Sequence, residues 1–415
     1  MASISRIKQL AAMITKHTET VENFLEANNL PKPSLDADAL WSVPIPEKEL
    51  QAKEAQRSVI EACSELEALM IGPKKLLHIP YTAHVSTKIV LRFKLDQSFP
   101  VGESTTFEAM SKYSGINTMN VRRVVRHAIM NHRLFQEKTS GIITHSALTA
   151  VLAGDRLVRN ALVVELDEFW PAGVQAADAM EKWPNSEENN ETGFALANNS
   201  DKSMYEIFTE SPERADRFGM YFSKADEPPH LLLDNYPWAE KTSMVDVGGS
   251  HGSIAISIAE KFPAIKCTVQ DFPDTVSEGA ARLPSSLRGR VDFMAHDFFA
   301  EQKVRADVYY FRSIFHNWAD KYCIKILQKL IPALDPGARV IIHQRILPSL
   351  ETLSYTDARR ETNMDLGMLQ LLNGQQREIH EWPELFRRAD PRYHYVGAYQ
   401  PKGAIRWIIE AEWQG

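Results

Sequence analysis

The stretch Val245-Asp-Val-Gly-Gly-Ser-His-Gly-Ser253 decides the fold of this chain. An apolar run, Met244–Val247, enters a glycine turn directly, and a helical stretch follows from Gly252 to Phe262. A strand that feeds a helix through such a turn opens a parallel α/β sheet, because the crossover helix must fold back over the strand it left. Toward the C-terminus the rhythm recurs: Lys266–Gln270, Val291–Ala295, Asp307–Phe311 and Arg339–His343 are short and β-rich, with helical Lys321–Leu334 before the last of them. A final helix at Glu381–Ala389 precedes a closing hairpin of Tyr393–Tyr399 and Ile405–Trp413, split by Pro401 and Gly403. The expected fold class is α/β, with a doubly wound, Rossmann-like sheet over residues 236–415.

Toward the N-terminus the pattern is helical. Apolar residues recur at helical spacing over Ser3–Asn29, and again over Glu47–Met70 with Val59, Ile60, Cys63, Leu66 and Leu69 on one face. Such faces dock on a second subunit or a neighbouring domain. Phe107–Tyr113 and Met119–His132 then read as two short helices, followed by a small hairpin about Gly141, which resembles a winged helix. Residues 1–150 form this helical, dimerising and winged-helix part, and 151–235 a helical connector. Within the connector the run Asn185-Ser-Glu-Glu-Asn-Asn-Glu191 reads as surface loop, and Lys224–Pro229 as another.

The 415 residues are 44% hydrophobic and 24% charged, the composition of an ordinary globular protein. Arg122, Arg123 and Arg126 on the second winged-helix segment raise the question of nucleic acid, but a net charge of −7 supplies no attracting field. They read as the solvated face of a helix whose valines pack inward. Three scattered cysteines support neither a disulfide framework nor a metal site. No apolar stretch reaches membrane-spanning length, so the chain is expected in the cytosol, without a membrane partner.

Three chemistries compete for the glycine turn. A dinucleotide site wants Gly-x-Gly-x-x-Gly, and Gly248, Gly249 and Gly252 lack that spacing. The residues also spell the Gly-x-Ser-x-Gly elbow of serine hydrolases around Ser250, but the hundred residues upstream read as helical and offer no preceding strands. S-adenosylmethionine is the third. It is a zwitterion with a cationic sulfonium, and it needs close backbone approach plus an acid at the first strand, which Asp246 and the glycines supply. Asp271, followed by Phe272, ends the second strand where a carboxylate can accept both ribose hydroxyls, and the third ends in Asp297 and Phe298, available to the adenine amino group and ring. A loop or capping aspartate explains any one of these acids, but poorly explains three at successive strand ends.

With these motifs and Phe311-Arg-Ser-Ile-Phe-His-Asn-Trp318, the sequence resembles S-adenosylmethionine-dependent O-methyltransferases of the plant caffeate and flavonoid type, in their fungal secondary-metabolism branch. The likeness covers nearly the whole chain and implies a homodimer acting on a small polyketide-like or aromatic substrate. It places Arg312 by the cofactor and makes His316 the general base. Two positions depart from the pattern: Gln344 and Gln376 stand where the family usually carries carboxylates beside that histidine. With Asn317 they surround the base by amides, which orient an imidazole without opposing its charge. A pericyclase branch of the same family keeps the methyl on the cofactor and uses the positive charge to assist dehydration or cycloaddition of a 2-pyridone-like compound. For that branch the resemblance implies that His132 and Arg312 polarise a carbonyl. The plainer reading of His132 is a helix-end histidine facing solvent. The lost acids make the pericyclase reading the leading expectation; conventional O-methylation with His316 as base, favoured by the family at large, is the alternative, and a silent cofactor-binding scaffold is a third.

Overall fold

The computed structural model describes residues 4–78, 80–223 and 227–415. The first three residues and positions 224–226 of the Lys224–Pro229 run lie outside the described residues. The chain divides into two compact units, Met1–Asp167 with Asp216–Lys224, and Glu168–Ala215 with Ala225–Gly415.

The first unit begins with helices α1 (Arg6–Ala27) and α2 (Leu50–Ile71), which pack on each other. Arg6 near the start of α1 bridges Glu65 near the end of α2, so the two run antiparallel. The buried stripe of α2 is Ala52, Ala55 and Ala62, because small side chains let the helices approach. Ile60, Cys63 and Leu69, on the apolar face expected to dock on a second subunit or a neighbouring domain, are exposed. A three-stranded sheet of β1 (Ser104–Thr106), β2 (Gln136–Thr139) and β3 (Ile142–Thr144) joins α3 (Phe107–Ser114) and α4 (Thr118–His132) in the expected winged helix. Side-chain caps start both helices: Thr106 Oγ1 accepts from Ala109 N–H, and Asn117 Oδ1 from Asn120 N–H. Val121, Val125 and Ala128 turn inward on α4, leaving Arg122, Arg123 and Arg126 exposed.

The second unit holds a seven-stranded sheet: β4 (Ser243–Val247), β5 (Lys266–Asp271), β6 (Val291–Ala295), β7 (Val308–Arg312), β8 (Arg339–Gln344), β9 (Tyr393–Tyr399) and β10 (Trp407–Trp413). Their order is β6-β5-β4-β7-β8-β10-β9, parallel except for the final hairpin, which sets β10 antiparallel on β8. Both faces are covered. Val245, Tyr309, Phe311, Val340 and Ile342 point into one core, and Met244, Val308, Tyr310 and Ile341 into the other. The period-2 alternation therefore sends Asp246, Tyr310, Arg312 and His343 to the second face and Gln344 to the first.

Helices α5 (Ser253–Lys261), α6 (Pro273–Arg282), α7 (Asp320–Leu330) and α9 (Glu381–Ala389) pack on the sheet. Helix α8 (Tyr355–Leu372), an 18-residue element absent from the sequence reading, packs against the short turn Phe315–Asn317. Ser354 caps its start, and Asn373 ends it with a left-handed φ of 49°. Among the described residues no helix is long and apolar enough to cross a membrane.

Candidate active site

At the ends of β4 and β5 the backbone is shaped by close approach. A Cβ on Gly249 would lie 2.5 Å from Asp246 Cγ, so only glycine lets this loop lie over the carboxylate. Gly252, at φ 77°, starts α5 in a conformation that other residues resist. Asp271 holds the turn from the next strand: Oδ2 accepts from Ser250 N–H and Oδ1 from Phe272 N–H, both at 2.8 Å. Each oxygen keeps lone pairs for further donors. Asp246 is 2% exposed, and burial pushes its carboxyl up to about 7 against the charge of Arg312. A buried acid of this kind, with the Gly249 backbone close over it, fits the cationic ammonium end of S-adenosylmethionine.

Around the end of β6 the fit is mixed. Asp297 is exposed and its Oδ1 accepts from Phe299 N–H at 2.9 Å, the local loop role available to any aspartate. Phe298 packs edge-on against Phe299 and Trp318, and Tyr205 lies 6.5 Å from the Trp318 ring in a stacked arrangement. Phe272 is exposed. The aromatic group beyond Phe298 was not evident in sequence, because Tyr205 is more than a hundred residues away.

His316 sits in the turn that follows β7. Ser313 reverses the chain at φ 55°, its N–H donating to His343 O at 3.1 Å and its carbonyl accepting from Asn317 Nδ2 at 3.2 Å. Asn317 thus bonds back into the turn. Arg377 clamps the far side: Nη1 donates to Phe315 O at 2.9 Å, and Nη2 to Trp318 O at 3.0 Å and Asp320 Oδ1 at 2.9 Å. Arg406 reaches Ser313 Oγ at 3.1 Å. Asn189, from the run read as surface loop, is buried and donates to Asn317 O at 3.2 Å, while Glu188 bonds Lys321 and Tyr322. The run is a loop as expected, but Asn189 and Glu188 tie it to the histidine turn through partners distant in sequence, and Asn189 Oδ1 is buried without a partner.

Burial pulls the His316 imidazole down to about 4, the charge of Arg406 acts in the same sense, and a backbone hydrogen bond at Ser313 opposes. Burial and the nearby guanidiniums, rather than the surrounding amides, cause this lowering. At neutral pH the ring is uncharged, and its Nδ1 is buried without a partner. Both polar atoms of Gln344 and of Gln376 are likewise buried and unpartnered. His132 differs: its Nε2 engages the carbonyl of Ala83 within the first unit.

Comparison with known proteins gives the family and the fold. Residues 198–390 match the model of the O-methyltransferase domain family. O-methyltransferase kk1A of Curvularia clavata is 37% identical over 422 residues, covering 99% of this chain and 98% of that protein. Among solved structures, OxaC in complex with SAH and oxaline superposes with a TM-score of 0.74 at 20% identity, covering 99% and 100% of the two chains. A structure described as a pericyclic reaction enzyme gives a TM-score of 0.66 at 21% identity, covering 87% and 94%. At such identities these two show a shared fold.

Proposed function

This chain belongs to the O-methyltransferase family, and from that premise we propose that it methylates an oxygen of a small polyketide-like or aromatic molecule in fungal secondary metabolism. S-adenosylmethionine is the cofactor; when bound it supplies a methyl group that passes to oxygen and leaves S-adenosylhomocysteine. Asp246, Gly248, Gly249 and Gly252 would hold its amino-acid end, Asp271 with Phe272 its ribose, and Asp297 with Phe298 its adenine, with Arg312 beside it. The observation that carries the reading is the unpartnered Nδ1 of a buried, uncharged His316. In the tautomer that carries its proton on Nε2 such a nitrogen accepts, and it can take the proton of the acceptor hydroxyl. His132 is the weaker candidate, since its ring nitrogen already has a partner in the Ala83 carbonyl.

Stoichiometry tests this reading. One S-adenosylhomocysteine is expected per product, with His316→Ala nearly inactive and His132→Ala close to wild type. Dehydration or cycloaddition assisted by the cofactor's charge is the second reading, favoured by one observation: amides rather than carboxylates stand at Gln344 and Gln376. It requires the reverse order of the two variants and no S-adenosylhomocysteine. A homodimer accompanies the proposal, because Ile60, Leu69 and Met70 leave α2 with an exposed apolar face. Light scattering is expected to give twice 47.0 kDa, and the single mass would contradict it.

A further inference from the structure

The polar groups near His316 are of two kinds. The guanidiniums that act on its imidazole each have a carboxylate of their own: Arg406 pairs with Glu227 at 3.1 Å, Arg345 with Glu361 at 3.1 Å and Arg377 with Asp320 at 2.9 Å. Asp365 on α8 accepts the Gln376 N–H at 2.7 Å. Against these satisfied groups stand His316 Nδ1 and both polar atoms of Gln344 and Gln376, all buried and without partners. Gln344 is 0% exposed and Gln376 4%. Burying a polar group without a partner is destabilising, so a cluster of them in one place points to a bound molecule that completes their hydrogen bonds.

The three segments are tied together. Ser313 N–H donates to His343 O at 3.1 Å, Leu347 N–H to Arg377 O at 3.0 Å, and Arg377 Nη1 to Phe315 O at 2.9 Å. Gly374 presses so closely that a Cβ there would lie 2.3 Å from His316 O. The orphaned groups therefore offer amide N–H donors, amide oxygens and one imidazole acceptor in one neighbourhood. No carboxylate among them would steady an imidazolium; those nearby are engaged by guanidiniums or by a backbone N–H. Side-chain amides are suited to oxygens that carry or develop negative charge.

Resting on the methyl-transfer reading, we propose that the acceptor is an acidic hydroxyl, an enol or phenol conjugated to a neighbouring carbonyl or carboxylate, whose paired oxygens are held by the amides of Gln344 and Gln376. Its O–H proton passes to His316 Nδ1 and then to solvent. The freed oxygen pair forms the bond to the methyl carbon as the carbon–sulfur pair returns to sulfur, and the sulfonium becomes a neutral thioether. An ordinary phenol, titrating near ~10, is poorly matched to a base held as low as His316.

Two probes test this: triacetic acid lactone, an acidic enol beside a carbonyl, and para-cresol, a plain phenol. Calorimetry on protein loaded with S-adenosylhomocysteine should show the lactone bound at least about tenfold tighter. Gln344→Leu and Gln376→Leu should each erase about that factor, lowering lactone affinity far more than cresol affinity, one lost hydrogen bond to a charged group being worth roughly that much. Should a leucine variant fail to fold, the near-isosteric Gln344→Glu or Gln376→Glu reports instead, by repelling the lactone anion and raising cresol turnover. Equal binding and methylation of both probes, or an acid preference untouched by all four variants, overturns the proposal. Amide-dependent lactone binding with no S-adenosylhomocysteine formed from S-adenosylmethionine would instead sink methyl transfer and leave the acid-binding site standing.

Discussion

The turns after β4 and β5 and the turn after β7 lie along one sheet edge, yet they treat polar atoms in opposite ways. In the first, both Asp271 oxygens are engaged by backbone donors and glycine backbone closes over Asp246. In the second, His316 Nδ1 and the Gln344 and Gln376 amides are buried without partners. The contrast separates a cradle built before its ligand arrives from a pocket whose hydrogen bonding the ligand completes. A cofactor is the same at every turnover and can be met by fixed backbone, whereas the acceptor must be met by side chains that diverge among relatives of shared fold.

The largest effect that would break this contrast lies at His316. His316→Ala should lower the methylation rate by roughly 10²–10⁴, the usual contribution of a general base. A loss below tenfold in steady-state assays would remove the histidine from the chemistry.

Next comes the cradle. Asp271→Ala should weaken S-adenosylmethionine binding by roughly ten- to a hundredfold, since it removes an acceptor that also anchors Ser250. Calorimetry returning the wild-type affinity would mean the carboxylate serves the turn alone. Gly249→Ala sharpens the same point, because its methyl would lie 2.5 Å from Asp246 Cγ. A stability loss of ~1–3 kcal/mol in urea unfolding is expected for such overpacking, and none would show that the loop yields freely.

The smallest effect is a predicted absence. Because burial holds His316 near 4, below the usual histidine range, the ring stays neutral as pH falls from 8 to 6, and turnover should stay flat over that interval. An acid limb at the ordinary histidine value near ~6.5 would place the ring in a wetter site. The same shift bears on folding. A depressed histidine contributes stability that is present above its unfolded value and lost as pH falls through about 4, so acid unfolding should begin within that window. Asp246 works in the opposite sense: its raised carboxyl favours the fold at low pH and loses that contribution as pH rises through about 7.

Most of the cradle was legible in sequence because it is local. The glycine turn, Asp271 and Asp297 each sit within a few residues of a strand whose apolar run announces it, and β6, α9 and β9 fall at the expected residues. The acceptor pocket was legible only in part. The exchange of acids for Gln344 and Gln376 could be read against the family pattern, but not their lack of partners. Arg377 and Arg406 are separated by 62 and 93 residues from the Phe315 carbonyl and Ser313 hydroxyl that they hold, and a buried arginine looks like an exposed one in sequence. The burial of Asn189 within its polar loop was not legible for the same reason, since a polar residue reads as solvated unless its partners are known. On α2, periodicity shows that the stripe is apolar without showing which neighbour covers it.

The measurement that tests the account most directly is the fate of the methyl group. Purified protein, S-adenosylmethionine labelled with a deuterated methyl and triacetic acid lactone should yield, by mass spectrometry, lactone carrying the intact labelled methyl, with one S-adenosylhomocysteine released for each. Unmethylated lactone recovered beside intact cofactor would contradict it.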